Sequence, residues 1–360
     1  MNLHDALSLS SAGRVRAWST LYKKWHTCMK YLGHVSKDDQ LYEYLRHEIL
    51  GQLGVDGIVP DFRVHRLQAS NHVYLYEECH SRVRIIGKFF GDISHRSPET
   101  ALRRMDREYK NLTCVRSIGF DCYPHYVARP LGCNASLNFM LVEEFCYGAP
   151  LTDFIVKAIQ EGAREALFQK LTALAFFLAT LHNRTTTGDQ VEFTKDCSYF
   201  DRIVAQLKNW GHIEDDEALE LCRLKAMWQE RDCMWEDNQV LVHGDVTPTN
   251  ILFGDNLWVI AIDLERMKRA DRVFDVGRLV GELKHFFMLY TGDKWQAESF
   301  ISHVLWEYAC HFPNRASAFA SITRRVPFYM GMTLLRIARN SWVTGKYRRH
   351  LLNEAQETLR

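Results

Sequence analysis

The run Leu241-Val-His243-Gly244-Asp245-Val-Thr247-Pro248-Thr-Asn250-Ile-Leu-Phe253, followed by Ile260-Ala-Ile262-Asp263-Leu264-Glu265, decides how this chain is read. Two apolar β-type runs, 251–253 and 257–262, flank the turn Gly254-Asp255-Asn256, which predicts a loop leading into a hairpin. Asp245, Asn250 and Asp263 lie along it. Phosphoryl transfer from a nucleotide requires that combination. One carboxylate orients the attacking hydroxyl and takes its proton, while an amide oxygen and a second carboxylate hold Mg²⁺ against the phosphates. The step of five residues from Asp245 to Asn250 is that of a kinase catalytic loop. Each piece alone is commonplace, and the joint pattern carries the weight.

His243-Gly244-Asp245 stands where protein kinases have His-Arg-Asp. On these residues the chain resembles the aminoglycoside phosphotransferase and choline kinase family, whose members have a protein-kinase-like fold. The resemblance implies an α+β, two-lobed architecture with a small antiparallel-sheet N-lobe, one key helix in it, and a larger, mainly helical C-lobe. It implies a Mg²⁺-dependent phosphotransferase that moves the γ-phosphate of ATP, or of GTP, to a hydroxyl of a small molecule. Asp245 is then the base, and Asn250 and Asp263 are the metal ligands. Leu264-Glu265 replaces the Phe-Gly of protein kinases, with Glu265 as a supporting acid, and His243 braces the loop. Arg269 to Leu279 resembles the family's Gly-Asp-Pro-x-x-Asp-Leu-Ala segment. Asp275 within it either caps backbone N–H groups of the catalytic loop or caps its own helix. The short step from Asp263 to Asp275 leaves no room for a long activation loop, which counts against a loop-regulated protein kinase.

Upstream, residues 58–145 are expected to form the nucleotide-binding N-lobe. Segments 62–67, 73–76 and 83–90 are rich in β-branched and aromatic residues and predict strands. The turn at 68–72 would cover the nucleotide phosphates, yet it contains no glycine. Ser70 and Asn71 are the candidates for that work, and a plain hairpin turn explains them equally. Lys88 ends an apolar strand, and a buried ammonium needs partners. The resemblance supplies two, nucleotide phosphate and Glu108. Ser97 and Pro98 mark a helix start, and Ala101, Met105, Glu108 and Leu112 fall on one stripe. That stripe favours a Lys88–Glu108 pair over a surface pair of Arg104 with Glu108. After strands at 126–129 and 138–145, the backbone of Glu143, Glu144 and Phe145 is placed at the interlobe hinge, reading the adenine edge.

Residues 146–360 read as the helical C-lobe, with the catalytic loop at 243–250, the metal segment at 262–265 and a substrate insertion at about 190–236. Leu167, Leu171, Leu174, Leu178 and Leu181 form a stripe that ends at His182, a structural hydrogen-bonder in this reading. Residues 1–57 are expected to be a helical extension, carrying Trp18, Trp25 and Tyr31 and broken near 36–39. Packing on the first lobe is the plain role for it, and a protein partner the alternative.

At 360 residues, 47% hydrophobic and 25% charged, the chain has room for two sizeable cores. A net charge of +1 gives no case for nucleic acid or membrane partners. No membrane-length apolar run or signal peptide is read. Ten cysteines without a C-x-x-C pair suggest free thiols, buried in apolar segments, in a reducing cytoplasm. The expected partners are a nucleotide and a small-molecule acceptor. For that acceptor three features compete. The acids at 214–220 suit a cationic substrate or merely a helix start. Trp210, Trp228, Trp235 and Trp295 suit an ammonium cage or merely a core. The basic excess over 321–360 suits an anionic acceptor or merely a solvated helix face. The rival to an enzyme is a non-catalytic nucleotide-binding regulator on the same fold.

Overall fold

Strand propensity in the first half of the chain becomes one antiparallel sheet. The computed structural model describes residues 29–67, 72–91 and 97–360, which divide into two units. The sheet unit comprises described residues up to Gly148 together with Ile260–Glu265. Its elements are β1 (Lys30–His34), α1 (Gln40–Tyr44), β2 (Phe62–Arg66), β3 (His72–Glu78), β4 (Arg84–Phe89), α2 (Pro98–Ser117), β5 (Asp121–Cys122), β6 (His125–Val127), β7 (Pro130–Asn134) and β8 (Met140–Glu144). Six of these strands make a sheet in the order β1-β2-β3-β4-β8-β7. The β3–β4 register sets Val73 opposite Lys88, and the β4–β8 register sets Lys88 opposite Leu141.

Residues 30–34 correct the helical expectation for the N-terminal segment. Tyr31 lies in β1, because Lys30–His34 pairs along the otherwise open edge of β2, and edge pairing overrides weak local propensity. The helical run after the break at 36–39 is present, with Asp39 capping it through a bond from the Leu41 N–H. Tyr42, Leu45, Ile49 and Leu50 pack with Phe62, Tyr76, Ile85 and Met140, so this run is built into the core of the sheet unit. Each such fully buried aliphatic or aromatic side chain contributes about 1.5–3 kcal/mol. Residues 1–28, with Trp18 and Trp25, lie outside the described residues.

The helical unit comprises Ala149–Val259 and Arg266–Arg360 among its described residues. Its elements are β9 (Ala149–Pro150), α3 (Leu151–Gln160), α4 (Arg164–Arg184), α5 (Phe193–Asn209), α6 (Asp215–Gln229), β10 (Val240–Val242), β11 (Ile251–Phe253), β12 (Val259–Ala261, its last two residues in the sheet unit), β13 (Lys268–Ala270), α7 (Val273–Thr291), α8 (Glu298–Ala309), α9 (Arg315–Ala338) and α10 (Gly345–Leu359). The leucine stripe of α4 is buried throughout, and so is nearly all of α7. A Cβ at Gly277 would meet the Cβ of Tyr329 at 2.3 Å, so glycine there lets α7 and α9 approach backbone to side chain. That close crossing brings Arg278 of α7 and Arg336 of α9 to one place. No described helix is long and apolar enough to cross a membrane. The nine described cysteines are free thiols, and only Cys197 among them is buried, so the expectation of generally buried thiols is corrected.

Candidate active site

The loop 243–250 is strung between two short strand pairings of the helical unit. β10 pairs with β13 before it, and β11 pairs with β9 after it. Gly244 turns the chain at φ 79°, and a Cβ there would meet the Arg266 carbonyl oxygen at 2.3 Å. Glycine is therefore the residue this turn admits. Asp275 sits beneath the turn and accepts from the N–H of His243 at 2.6 Å and of Gly244 at 2.9 Å. Of its two expected roles, capping the loop is the one present, while Asp271 accepts the Val273 N–H at the start of α7. His182 braces Asp275 at 3.2 Å and meets the Tyr308 hydroxyl at 2.7 Å. Burial holds the His182 imidazole below its usual range despite Asp275, which makes it a neutral hydrogen-bonder. His243 Nδ1 receives the Asp245 N–H at 3.3 Å, inside the loop it was expected to brace. Asn250 donates through Nδ2 to the Asp245 carbonyl at 3.1 Å, which leaves its amide oxygen as the atom able to face a cation.

Asp245 is buried and carries three guanidinium groups that sequence reading did not place there. Arg336 Nη2 lies 2.7 Å from Oδ1, Arg278 Nη1 3.5 Å from Oδ1, and Arg266 Nε 3.3 Å from Oδ2. Burial pushes its carboxyl up, but Arg336, Arg278, Arg266 and His243 together hold it below the ordinary carboxylate range. Arg336 is 91 residues from Asp245, so no local pattern announced the contact. The one available hint was the basic excess of 321–360.

The sheet unit carries the other candidates. Lys88 Nζ lies 2.5 Å from Glu108 Oε1, 2.9 Å from Glu143 Oε1 and 3.9 Å from Asp263 Oδ1. The expected Lys88–Glu108 pair is present, and Arg104 instead meets Glu265 at 2.8 Å. Glu143 enters through its side chain, which the hinge expectation did not foresee. Burial and the neighbouring acids Glu143 and Asp263 outweigh Lys88 and push the Glu108 carboxyl up to about 8. Asp263 sits at φ 64°, a strained conformation for a residue with a side chain and one that clusters at functional positions. Carboxylate oxygens of Glu108, Asp263 and Glu265 lie within 4.8 Å of one another, and Glu108 Oε2 is buried without a hydrogen bond. A hard, all-oxygen donor set with one ammonium among its acids suits a divalent cation such as Mg²⁺.

One expectation changes. The N–H of Glu144 donates to Arg129 and that of Phe145 to Arg84, while Glu143 lies inside the ladder. Two of the three N–H groups expected to read an adenine edge are thus committed to backbone carbonyls, because β8 remains a central strand up to the point where the chain leaves it. Ser70 and Asn71 lie outside the described residues. Among the acceptor features, the four tryptophans have separate surroundings. Trp228 is buried under Arg231, Trp235 donates to Gln229, and Trp210 and Trp295 are exposed. The acids at 214–220 form a helix capping box and pair with Lys208, Arg223 and Arg349.

The model of the phosphotransferase enzyme family matches residues 61–305, and the chain belongs to that family. No curated protein sequence matches the chain. Solved structures share its fold at low identity. ADP-bound aminoglycoside phosphotransferase APH(2'')-Ib aligns at 12% identity and a TM-score of 0.53, over 90% of this chain and 97% of the other. Plasmodium vivax ethanolamine kinase aligns at 13% and 0.56, over 100% and 96%. The ternary complex of APH(2'')-IIa with streptomycin and ATP aligns at 12% and 0.54, over 90% and 99%.

Proposed function

We propose that this phosphotransferase moves the γ-phosphoryl group of ATP, with GTP as the alternative donor, to a hydroxyl of a small metabolite. The reading rests above all on the loop of the helical unit, where Asp275 holds the turn and sets Asp245 and Asn250 on one rigid segment. Asp245 orients the acceptor hydroxyl and receives its proton. A carboxylate held low by arginines is a weak base, so orientation is its larger contribution and proton transfer comes late in the step. Lys88, positioned by Glu108, binds phosphate oxygens. Asp263 and Asn250 hold Mg²⁺, with Glu265 in support, and the ion when bound neutralises phosphate charge. His243 and Asp275 position the loop. The hinge at Glu143–Phe145, where the backbone leaves the sheet, is the place assigned to the adenine, and Ser70 and Asn71 are assigned to the phosphates.

One observation favours a second reading, a nucleotide-binding regulator: Arg336 already occupies the Asp245 oxygen that an acceptor would use. Nucleotide consumption with Mg²⁺ across choline, ethanolamine, aminoglycosides, sugars, hydroxy acids and phosphorylated alcohols separates the two. Acceptor-dependent turnover lost in Asp245→Asn supports the enzyme. Nucleotide binding with no turnover on any acceptor supports the regulator.

A further inference from the structure

Arg336 spans Asp245 at 2.7 Å and Glu282 at 3.4 Å. Arg278 also faces Asp245, and Arg266 reaches its second oxygen. Arg339 has no carboxylate within ion-pair distance among the described residues, and it donates instead to the neutral Gln206 at 2.5 Å. Two buried or nearly buried guanidiniums, Arg278 and Arg336, thus share Asp245 and Glu282, and half-buried Arg339 beside them brings a third cation to two acids. A buried charge is tolerated when it is paired, so an excess of buried or half-buried cations marks a place where an anion is missing. A further donor is unspent, since Arg336 Nε is buried without a hydrogen bond. The surroundings register the excess. Burial would push the Tyr199 phenol up, yet Arg278, Arg336 and Arg339 hold it down. Burial and the neighbouring Arg336 and Arg266 depress the Arg339 guanidinium.

Resting on the phosphotransferase reading above, we infer that the acceptor is an anionic alcohol, a hydroxyl compound bearing a phosphate or carboxylate group that Arg336, Arg339 and Arg278 engage beside Asp245. Guanidinium forks bind such oxyanions through paired N–H donors, whereas a cationic acceptor would meet like charge. The anion also solves the problem of the occupied base. By drawing Arg336 onto itself, it frees Asp245 Oδ1 for the acceptor hydroxyl. The hydroxyl oxygen then bonds to the γ-phosphorus as the bridging oxygen leaves with the nucleoside diphosphate, and the hydroxyl proton passes to Asp245 and on to water. No redox change occurs.

The test measures binding and turnover separately on the full-length protein. Calorimetry with glycerol 3-phosphate, glycerate, glycerol and ethanolamine is run on the wild type, Arg339→Gln and Arg339→Lys, and turnover with Mg²⁺ and ATP is followed on the same panel. The expected result is binding of glycerol 3-phosphate or glycerate, weakened about ten-fold or more in Arg339→Gln and largely kept in Arg339→Lys. Preference between those two probes tells phosphate from carboxylate. Equal or better use of glycerol or ethanolamine, unaffected by Arg339→Gln, overturns the anionic acceptor while leaving the phosphotransferase intact. Anion binding lost in Arg339→Gln, with no turnover on any acceptor, keeps the anion site and overturns the enzyme. No anion binding at all overturns the inference, and melting curves of both variants show whether the fold survives.

Discussion

In the sheet unit one ammonium, Lys88, serves three carboxylates, while in the helical unit one carboxylate, Asp245, is faced by three guanidiniums. The centres of both clusters, Lys88 with Glu108 and Asp245 with Arg278, are buried, and each is short of charge of one sign. Burial makes such an imbalance costly, and the proposed metal ion and anion would each offset it. The acid-rich one suits a metal ion, and the arginine-rich one suits an anion.

The largest effect expected from breaking this contrast is in Asp245→Asn. It should lower kcat by about 10²–10⁴-fold while nucleotide affinity, measured by calorimetry, stays within about two-fold. Wild-type turnover in this variant would show that the arginine cluster holds no catalytic carboxylate. Next is Lys88→Met, which leaves the acids uncompensated. Denaturant unfolding should report a loss of about 3–5 kcal/mol, against much less for Glu143→Gln, which relieves the excess. Equal losses would mean that Lys88 is held by packing alone. Gly244→Ala tests the loop. Positive φ and the Arg266 carbonyl predict a cost of about 1–3 kcal/mol and a fall in kcat, whereas Gly188→Ala, with open space around it, should be neutral.

A last effect concerns pH, and at neutral pH it is silent. Burial depresses the His285 imidazole to about 3. Below about 6.5 the unfolded chain takes up a proton that the folded chain refuses, so stability is full above that pH and declines on the order of a few kcal/mol toward 3. Hydrogen exchange should show α7 losing protection over that window, with the decline absent in a His285 variant that still folds. A flat profile would mean that His285 is hydrated in solution.

Residues close in sequence were legible. The 243–250 loop, the 98–117 helix with Glu108 on its inner stripe, and the three strands around Lys88 follow from spacing and propensity. Three things were not. β1 exists because it pairs with an edge elsewhere, Glu143 meets Lys88 across a strand register, and Arg278 and Arg336 reach Asp245 through the crossing of two helices permitted by Gly277. Each depends on tertiary placement, for which a linear pattern leaves little trace.

The anchoring of the loop by Asp275 has a consequence for how this scaffold changes over evolution. His182, Tyr308 and Asp275 grip the turn from below, whereas Arg278 and Arg336 face the Asp245 carboxylate. Grip and charge reside in different side chains. Arg336 and Arg339 can therefore be replaced without removing any bond that holds the turn carrying Asp245.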